Sequence, residues 1–157
     1  MEDQQKAIWI IDDDIEDHDL IRHVFQEMKL PFSLKLFQSG EELLQGLEDA
    51  VEAPFIIICD VNLPRIGGFA LREKMLGIPN NKYHSVPFIF WSTVASEAQI
   101  RRAYEIGAHG FFKKEAQLEK WRESLKKIIE YWSLSLMPSK EDKPDSSFRL
   151  SHEANRK

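Results

Sequence analysis

Residues 55–60 read FIIICD and are followed by VNLP at residues 61–64. Five consecutive apolar residues, three of them isoleucines, favour a short strand that is buried on both faces, as strands of parallel sheets are. Asp60 would then lie at the carboxyl end of this strand, where open α/β sheets place their ligand crevice. Asp60 is therefore the first candidate functional residue of the chain.

The chain on either side of this strand alternates short apolar runs with amphipathic helical patterns, which is typical of βαβ units. We predict strands at 7–11, 33–37, 55–59, 86–91 and 109–113. We predict helices at about 15–29, after Ser39-Gly40, from Gly68 to residue 76, at about 96–106 and at about 116–133. Five strands interleaved with five helices predict an α/β fold, a doubly wound parallel sheet.

The first and last helices carry the clearest apolar stripes. The stripe of the first consists of Ile15, Leu20, Ile21, Val24, Phe25 and Met28, and that of the last consists of Leu118, Trp121, Leu125, Ile128, Ile129 and Trp132. Their spacings of three and four residues predict that both stripes face inward. Asp13 or Asp14 would cap the first helix, and Gly107 would end the fourth in the left-handed conformation.

Composition and charge exclude several classes of protein. The chain has 157 residues, 43% of them apolar and 30% charged, which is ordinary for one soluble globular domain. The net charge of −5 argues against a nucleic-acid partner, and no apolar run approaches the ~20 residues that would imply a membrane partner. The single cysteine, Cys59, excludes an internal disulfide, and the polar start favours a cytoplasmic protein.

The composition changes near residue 137. We expect residues 1–136 to form the folded domain and residues 137–157, which are almost devoid of apolar side chains, to form a polar, disordered tail.

Polar side chains lie at the carboxyl ends of four of the five predicted strands. They are Asp12 and Asp13, Asp60, Ser92 and Thr93, and Lys113 and Lys114, at the first, third, fourth and fifth strands respectively. A lone aspartate at a strand end is more often a helix cap than a catalytic group. Acids, a hydroxyl and a lysine on successive strand ends favour one shared site. Clustered carboxylate oxygens suit Mg²⁺, which keeps several waters and acts beside phosphate.

This pattern resembles the receiver domain of response regulators in two-component signalling, over about residues 7–133. The stretches that carry the resemblance are 10–13 (IIDD), 59–64 (CDVNLP) through Gly68, 86–92 (VPFIFWS) and 107–114 (GAHGFFKK). The resemblance implies a flavodoxin-like fold with strand order 2-1-3-4-5. It also implies a stand-alone, chemotaxis-regulator-like signalling domain rather than an enzyme that turns over a substrate.

The resemblance also implies roles for single residues. Asp60 would be the phosphoacceptor and a ligand of Mg²⁺, Lys114 would pair with the phosphoryl group, and Ser92 would be the switch hydroxyl. Phe111 would match the aromatic residue whose rotamer often follows phosphorylation.

The remaining ligands of Mg²⁺ and the partners are implied in the same way. Asp13 would bind the ion directly, Asp12 mainly through water, and Asn62 through its backbone carbonyl. A sensor histidine kinase or a histidine phosphotransfer protein would donate the phosphoryl group. An effector protein would bind the face formed by the fourth helix, fifth strand and fifth helix, and the chain would be a monomer or a weak homodimer.

Several residues depart from the family pattern. Glu115 stands where a proline usually follows the lysine, and we expect a trans Lys114–Glu115 bond because a cis bond without proline costs about 3 kcal/mol. Ser92 stands where the family usually has a threonine. Thr93, the next residue, could compete with it for the role of switch hydroxyl. Val94 offers no polar group to orient an attacking water, which predicts a long-lived phosphoryl group.

Two alternative functions stay open. A degenerate receiver that binds partners without phosphorylation is suggested by Glu115. A Mg²⁺-dependent phosphatase of the haloacid-dehalogenase type would also use a strand-end aspartate, but it typically needs a second acid where this chain has Asn62, and an inserted cap domain.

Overall fold

A computed structural model describes residues 6–79 and 83–137, and in it the strands form one parallel sheet. The strands are β1 (Ala7–Ile11), β2 (Ser33–Phe37), β3 (Ile56–Asp60), β4 (Phe88–Ser92) and β5 (Gly110–Lys113). Their order is β2-β1-β3-β4-β5, so the predicted topology is confirmed. The chain reverses its direction of progress across the sheet between β1 and β3, and such a switch point opens a crevice at the carboxyl edge.

Among residues 6–79 and 83–137, five helices alternate with the strands, as predicted. They are α1 (Ile15–Met28), α2 (Gly40–Asp49), α3 (Gly68–Leu76), α4 (Glu97–Glu105) and α5 (Leu118–Leu134). Asp14 caps α1 by accepting a hydrogen bond from the Glu16 backbone N–H at 2.9 Å. Gly107 follows α4 with φ of +79°, the left-handed conformation that the sequence predicts there.

The start of β4 differs by two residues from its prediction. Pro87 has no backbone N–H, so it cannot donate to the sheet ladder. Its carbonyl still accepts a hydrogen bond from the Ile57 N–H at 3.0 Å, which aligns the chain with β3 before the regular strand begins.

Two apolar clusters hold the helices on opposite faces of the sheet. Helices α2, α3 and α4 cover the face that carries Ile57 and Cys59, and α1 and α5 cover the face that carries Ile56 and Ile58. Every residue of β3 is buried, including Cys59, which accounts for the continuous apolar run in the sequence. Burial on both faces fixes β3 at the centre of the molecule and directs Asp60 to the carboxyl edge.

The predicted apolar stripes are wrong at their first residues. Ile15 is 61% exposed and Leu118 is 41% exposed. Each begins its helix at the carboxyl edge of the sheet, where polar side chains replace the apolar sheet surface. Of the predicted tail, only Met137 is described, half-buried against the α1–α5 cluster, and residues 138–157 lie outside the described residues. None of the described helices is long and apolar enough to cross a membrane.

Candidate functional site

The carboxyl edge of the sheet brings together the side chains that the sequence singles out. Asp60 and Ser92 are the last residues of β3 and β4, while Asp12 and Lys114 directly follow β1 and β5. Asp12, Asp13 and Asp60 each place one carboxylate oxygen within 4.8 Å of the other two. Asp12 and Asp60 are buried, whereas Asp13 is exposed to solvent. The cluster is therefore rooted in the core and open on one side.

Lys114 reaches into this cluster from the β5–α5 loop. Its Nζ lies 2.5 Å from Asp12 Oδ2 and 2.8 Å from Asp60 Oδ2, and the lysine side chain is only 8% exposed. The Lys114 backbone N–H donates to the Ser92 carbonyl at 2.8 Å, which fixes the start of the loop. The ammonium also lies 5.8 Å from the centre of the Trp91 ring, a cation–π distance. No peptide bond of the described residues is cis, so the trans Lys114–Glu115 bond is confirmed.

Burial and charge shift the two central pKa values. Burial raises the pKa of Asp12 to about 7, although its hydrogen bond with Lys114 acts in the opposite direction. For Lys114, burial alone would lower the pKa, but hydrogen bonds with Asp12 and Asp60 outweigh it and raise the pKa above its ordinary value. The lysine therefore remains charged at neutral pH. The nearby Asp17 raises the pKa of Asp12 further. Four acidic side chains, those of Asp12, Asp13, Asp17 and Asp60, thus lie around one ammonium.

Backbone N–H groups orient the two buried carboxylates. The Asn62 N–H donates to Asp60 Oδ1 at 2.9 Å, and the Asp14 N–H donates to Asp12 Oδ1 at 3.0 Å. In each aspartate, one oxygen is thus held by its own loop and the other by Lys114. The carboxylates are fixed from both sides.

Gly68 is needed for this loop to close. A Cβ at this position would lie 2.5 Å from the Asp60 carbonyl oxygen and 3.0 Å from the Val61 Cα. The Gly68 N–H donates to the Val61 carbonyl at 3.0 Å, so the start of α3 lies directly against the end of β3. The sequence indicated only a turn here, and the close backbone contact went unpredicted.

Of the two candidate hydroxyls, that of Ser92 is connected to the carboxylate cluster through Asn62, whose backbone N–H donates to Asp60. It is fully buried, and its Oγ accepts hydrogen bonds from Asn62 Nδ2 at 3.2 Å and from the Val94 N–H at 3.3 Å. Thr93 is exposed and lines a cavity beside Lys114. Phe111 is half-buried and packs against the apolar cluster under α2, α3 and α4.

Two residues of the site were not predicted from the sequence, Asp17 and His18. Asp17 Oδ2 lies 3.1 Å from Lys114 Nζ, so it is a third carboxylate on the ammonium. His18 is buried, and its Nε2 donates to the Asp12 carbonyl at 2.5 Å. The spacing of His18 from Ile21 and Phe25 matches the inward face of α1 and could have indicated its burial.

The donor set fits a magnesium ion. Asp12, Asp13 and Asp60 offer only carboxylate oxygens, and the exposure of Asp13 leaves room for the waters that Mg²⁺ retains. These three residues, with the Asn62 backbone carbonyl that the resemblance implies, would hold the ion, and its positive charge would balance the surplus of carboxylates.

Comparison with known proteins gives the family. The response regulator receiver domain model matches residues 8–126. The chain therefore belongs to the response regulator receiver domain family. Receiver domains are signalling domains that histidine kinases or phosphotransfer proteins phosphorylate.

Sequence relatives include regulators of different lengths. The transcriptional regulatory protein CreB of Escherichia coli is 26% identical over 111 residues, which cover 71% of this chain and 45% of CreB. The probable chemotaxis protein CheY of Rhizobium etli is 23% identical over 123 residues, which cover 78% of this chain and 91% of that protein. The chain spans 45% and 60% of the transcriptional regulators CreB and CrdR, about half their length.

Solved structures confirm the fold. The phosphorylated cyanobacterial phytochrome response regulator RcpA matches with a TM-score of 0.77 and 23% identity, over 86% of this chain and 99% of RcpA. The chemotaxis response regulator CheY4 of Vibrio cholerae matches with a TM-score of 0.66 and 22% identity, over 80% of this chain and 99% of CheY4.

Proposed function

We propose that this protein is a phosphorylation-controlled signalling module in which Asp60 accepts a phosphoryl group while Mg²⁺ is bound. The observation that carries the proposal is the contact of 2.8 Å between Lys114 Nζ and Asp60 Oδ2, beside three carboxylates that share one small volume. The donor would be a phosphohistidine of a sensor histidine kinase or a histidine phosphotransfer protein, in the cytoplasm.

The chemistry requires an ionised carboxylate to approach an anionic phosphoryl group. A carboxylate oxygen of Asp60 forms a bond to phosphorus, the bond from phosphorus to the donor nitrogen breaks, and the departing imidazole takes up a proton. The Asn62 N–H holds Asp60 in a fixed orientation, and the Lys114 ammonium offsets charge on the transferring group. Bound Mg²⁺ would supply further charge neutralisation at the phosphoryl oxygens.

The response to phosphorylation would begin at Ser92 and Lys114. The new phosphoryl oxygens are strong acceptors, and they would draw the Ser92 hydroxyl away from its present contacts with Asn62 and Val94. The hydrogen bond from the Lys114 N–H to the Ser92 carbonyl couples the ends of β4 and β5, so the two would move together. Phe111, half-buried on β5, would change rotamer with this movement, which makes the domain a two-state element.

The effector would bind the face formed by α4, β5 and α5. This face exposes at least one large apolar or aromatic side chain from each element, among them Tyr104 at 55%, Phe112 at 38% and Leu118 at 41%. Such residues commonly anchor protein interfaces. The net charge of −5 supports a protein partner rather than a nucleic acid. A monomer or a weak homodimer is expected.

Labelling with acetyl phosphate tests the proposal. In the presence of Mg²⁺ the wild type should gain one phosphoryl group by intact-mass measurement, and Asp60→Asn should gain none. Asp49→Asn, which makes the same change at an exposed aspartate of α2, should label like the wild type. Labelling that survives in Asp60→Asn would refute the acceptor assignment. Catalytic turnover of a small phosphate ester would instead support a phosphatase, and absence of any label would support a degenerate receiver.

A further inference from the structure

All three N–H donors of the Lys114 ammonium are in use. An ammonium carries three N–H donors, and Nζ contacts three carboxylate oxygens: Asp12 Oδ2 at 2.5 Å, Asp60 Oδ2 at 2.8 Å and Asp17 Oδ2 at 3.1 Å. Phosphorylation turns the Asp60 carboxylate into an acyl phosphate, so the N–H that now contacts Asp60 Oδ2 can pass to a phosphoryl oxygen of the same residue. A second phosphoryl oxygen can receive a hydrogen bond from this ammonium only if Asp12 or Asp17 is released.

Asp12 and Asp17 differ in how easily they can be released from the ammonium. The side chain of Asp12 is fully buried, whereas that of Asp17 is 28% exposed. A buried carboxylate that loses its cationic partner stays out of contact with water, which costs free energy. A partly exposed carboxylate that loses its partner is rehydrated instead. Asp17 also makes the longest of the three contacts.

Asp17 has room to leave. Together with Lys114, Thr93 and Glu115 it lines a cavity of about 390 Å³ that opens between α1 and the β5–α5 loop. Its carboxylate can therefore turn from the ammonium toward solvent without disturbing the core, whereas Asp12 is additionally held by the Asp14 N–H.

We propose that Asp17 is the resting-state partner that Lys114 exchanges for a phosphoryl oxygen. The inference rests on the function proposed above, and it assigns Asp17 as a positioning residue. In the resting state Asp17 occupies one N–H of Lys114 and adds a negative charge near the path of an anionic phosphoryl donor. Removal of its charge releases that N–H and reduces the repulsion, so Asp17 restrains the switch.

Beryllofluoride, which mimics a phosphoryl group on aspartate, tests this exchange by equilibrium binding. We would titrate the full chain at saturating Mg²⁺ and follow tryptophan fluorescence, because the Trp91 ring lies 5.8 Å from the ammonium that moves. Asp17→Asn should bind beryllofluoride about twofold to fivefold more tightly than the wild type, the range expected for one partly exposed ion pair. Asp17→Ala, which also lacks an amide that could accept from Lys114, should show at least the same gain.

Asp19→Asn is the matched control. It makes the same change two residues further along α1, at a carboxylate whose side chain is 76% exposed and pairs with Arg22. Its affinity should equal that of the wild type, and thermal melting should show that all variants are folded.

The outcomes separate this inference from the proposed function. If the wild type binds beryllofluoride and Asp60→Asn does not, but both Asp17 variants bind like Asp19→Asn or more weakly, the exchange is refuted and the phosphoacceptor stands. If the wild type does not bind, or Asp60→Asn binds equally well, the proposed function fails and this inference fails with it.

Discussion

Two buried cations lie at opposite edges of the same sheet, and their surroundings differ. Lys114 lies at the carboxyl edge and contacts three carboxylates. Arg72 of α3 lies near the amino edge, where its guanidinium donates to the Gly107 carbonyl at 3.1 Å and stacks 5.1 Å from the centre of the Phe88 ring. Among the described residues its Nε has no hydrogen-bond partner, and no carboxylate forms an ion pair with it.

The pKa values follow from these surroundings. Burial lowers the pKa of Arg72 because no anion compensates for lost hydration. The pKa of Lys114 is raised despite its burial, because Asp12 and Asp60 stabilise the charged form. Arg72 connects α3 to the turn between α4 and β5, a structural task. The surplus of carboxylates around Lys114 suits binding of a divalent cation and then a phosphoryl group.

Loss of the cation at the carboxyl edge should have the largest effect. Lys114→Met removes the ammonium that, in the proposed function, would offset charge on the phosphoryl group, and one such electrostatic partner typically contributes about 10²–10³-fold in rate. Labelling by acetyl phosphate should slow by about this factor while Mg²⁺ still binds. A rate within a few-fold of the wild type, measured by intact mass over time, would mean that Lys114 only supports the fold.

The next largest effect is expected at Gly68, which sets the backbone beneath Asp60. Gly68→Ala would place a Cβ 2.5 Å from the Asp60 carbonyl oxygen, and overpacking of this kind costs about 1–3 kcal/mol of unfolding free energy. Urea denaturation measures the loss, and slower labelling should accompany it. Gly77→Ala is the control, because its Cβ would come no closer than 3.5 Å to the Lys74 carbonyl oxygen. Equal stability of the two variants would contradict the close approach.

Binding of Mg²⁺ should depend on pH through Asp12. Its pKa is raised from 3.8 to about 7 by burial, so the ion must displace a proton below that pH. The apparent affinity should fall about tenfold per pH unit below pH 7 and level off above it. Fluorescence titrations at several pH values measure this, and an affinity independent of pH would be the contrary result.

The raised pKa of Asp12 also predicts how the stability of the metal-free protein depends on pH. Between about pH 4 and pH 7 the folded state retains a proton on Asp12 that the unfolded chain has released, so the unfolding free energy should fall as pH rises through this range. Asp12→Asn should remove this part of the pH dependence.

At the amino edge, the opposite pattern is expected. Arg72→Met leaves the Gly107 carbonyl without its donor, which should lower the unfolding free energy by about 1–2 kcal/mol in urea denaturation. The labelling rate should stay within about twofold of the wild type, because Arg72 lies at the opposite edge of the sheet and its charge has little effect on the carboxylate site. If Arg72→Met labelled much more slowly than the wild type and yet kept its full unfolding free energy, Arg72 would act on the site and would not be purely structural.

The smallest effect concerns the lifetime of the phosphoryl group. Val94 is 68% exposed and apolar, so it cannot orient an attacking water. Val94→Glu supplies an acceptor there, and the half-life of phosphorylated protein should shorten by a few-fold, as general-base assistance by a poorly fixed side chain allows. A longer half-life in the variant would count against this reading of Val94.

Part of the site was predictable because a short run of consecutive residues is enough to show where each strand ends. The apolar runs before Asp12, Asp60, Ser92 and Lys114 define buried strands, and parallel strands that are neighbours bring their carboxyl ends together. The resemblance to receiver domains supplied the strand order that makes β1, β3, β4 and β5 adjacent, and the structure confirms that order.

The remaining features depend on how the helices are placed on the sheet. The contact of Asp17 with Lys114 joins residues 97 positions apart, and no spacing along the chain reveals it. His18 reaches the Asp12 carbonyl only because α1 turns that side toward the β1–α1 loop. Ile15 belongs to an apolar stripe by spacing, yet it is exposed because α1 begins beyond the apolar surface of the sheet. Helix periodicity gives a face but not what that face contacts.

Borohydride trapping tests the central proposal most directly. Borohydride reduces an acyl phosphate to an alcohol, so treatment of the acetyl-phosphate-labelled protein followed by peptide mass spectrometry identifies the carboxylate that carried phosphorus. We expect a single reduced residue, Asp60, in samples that contain Mg²⁺ and none after its removal by a chelator. Reduction at Asp12, Asp13 or Asp17 instead, or labelled protein in which no carboxylate is reduced, would contradict the proposal.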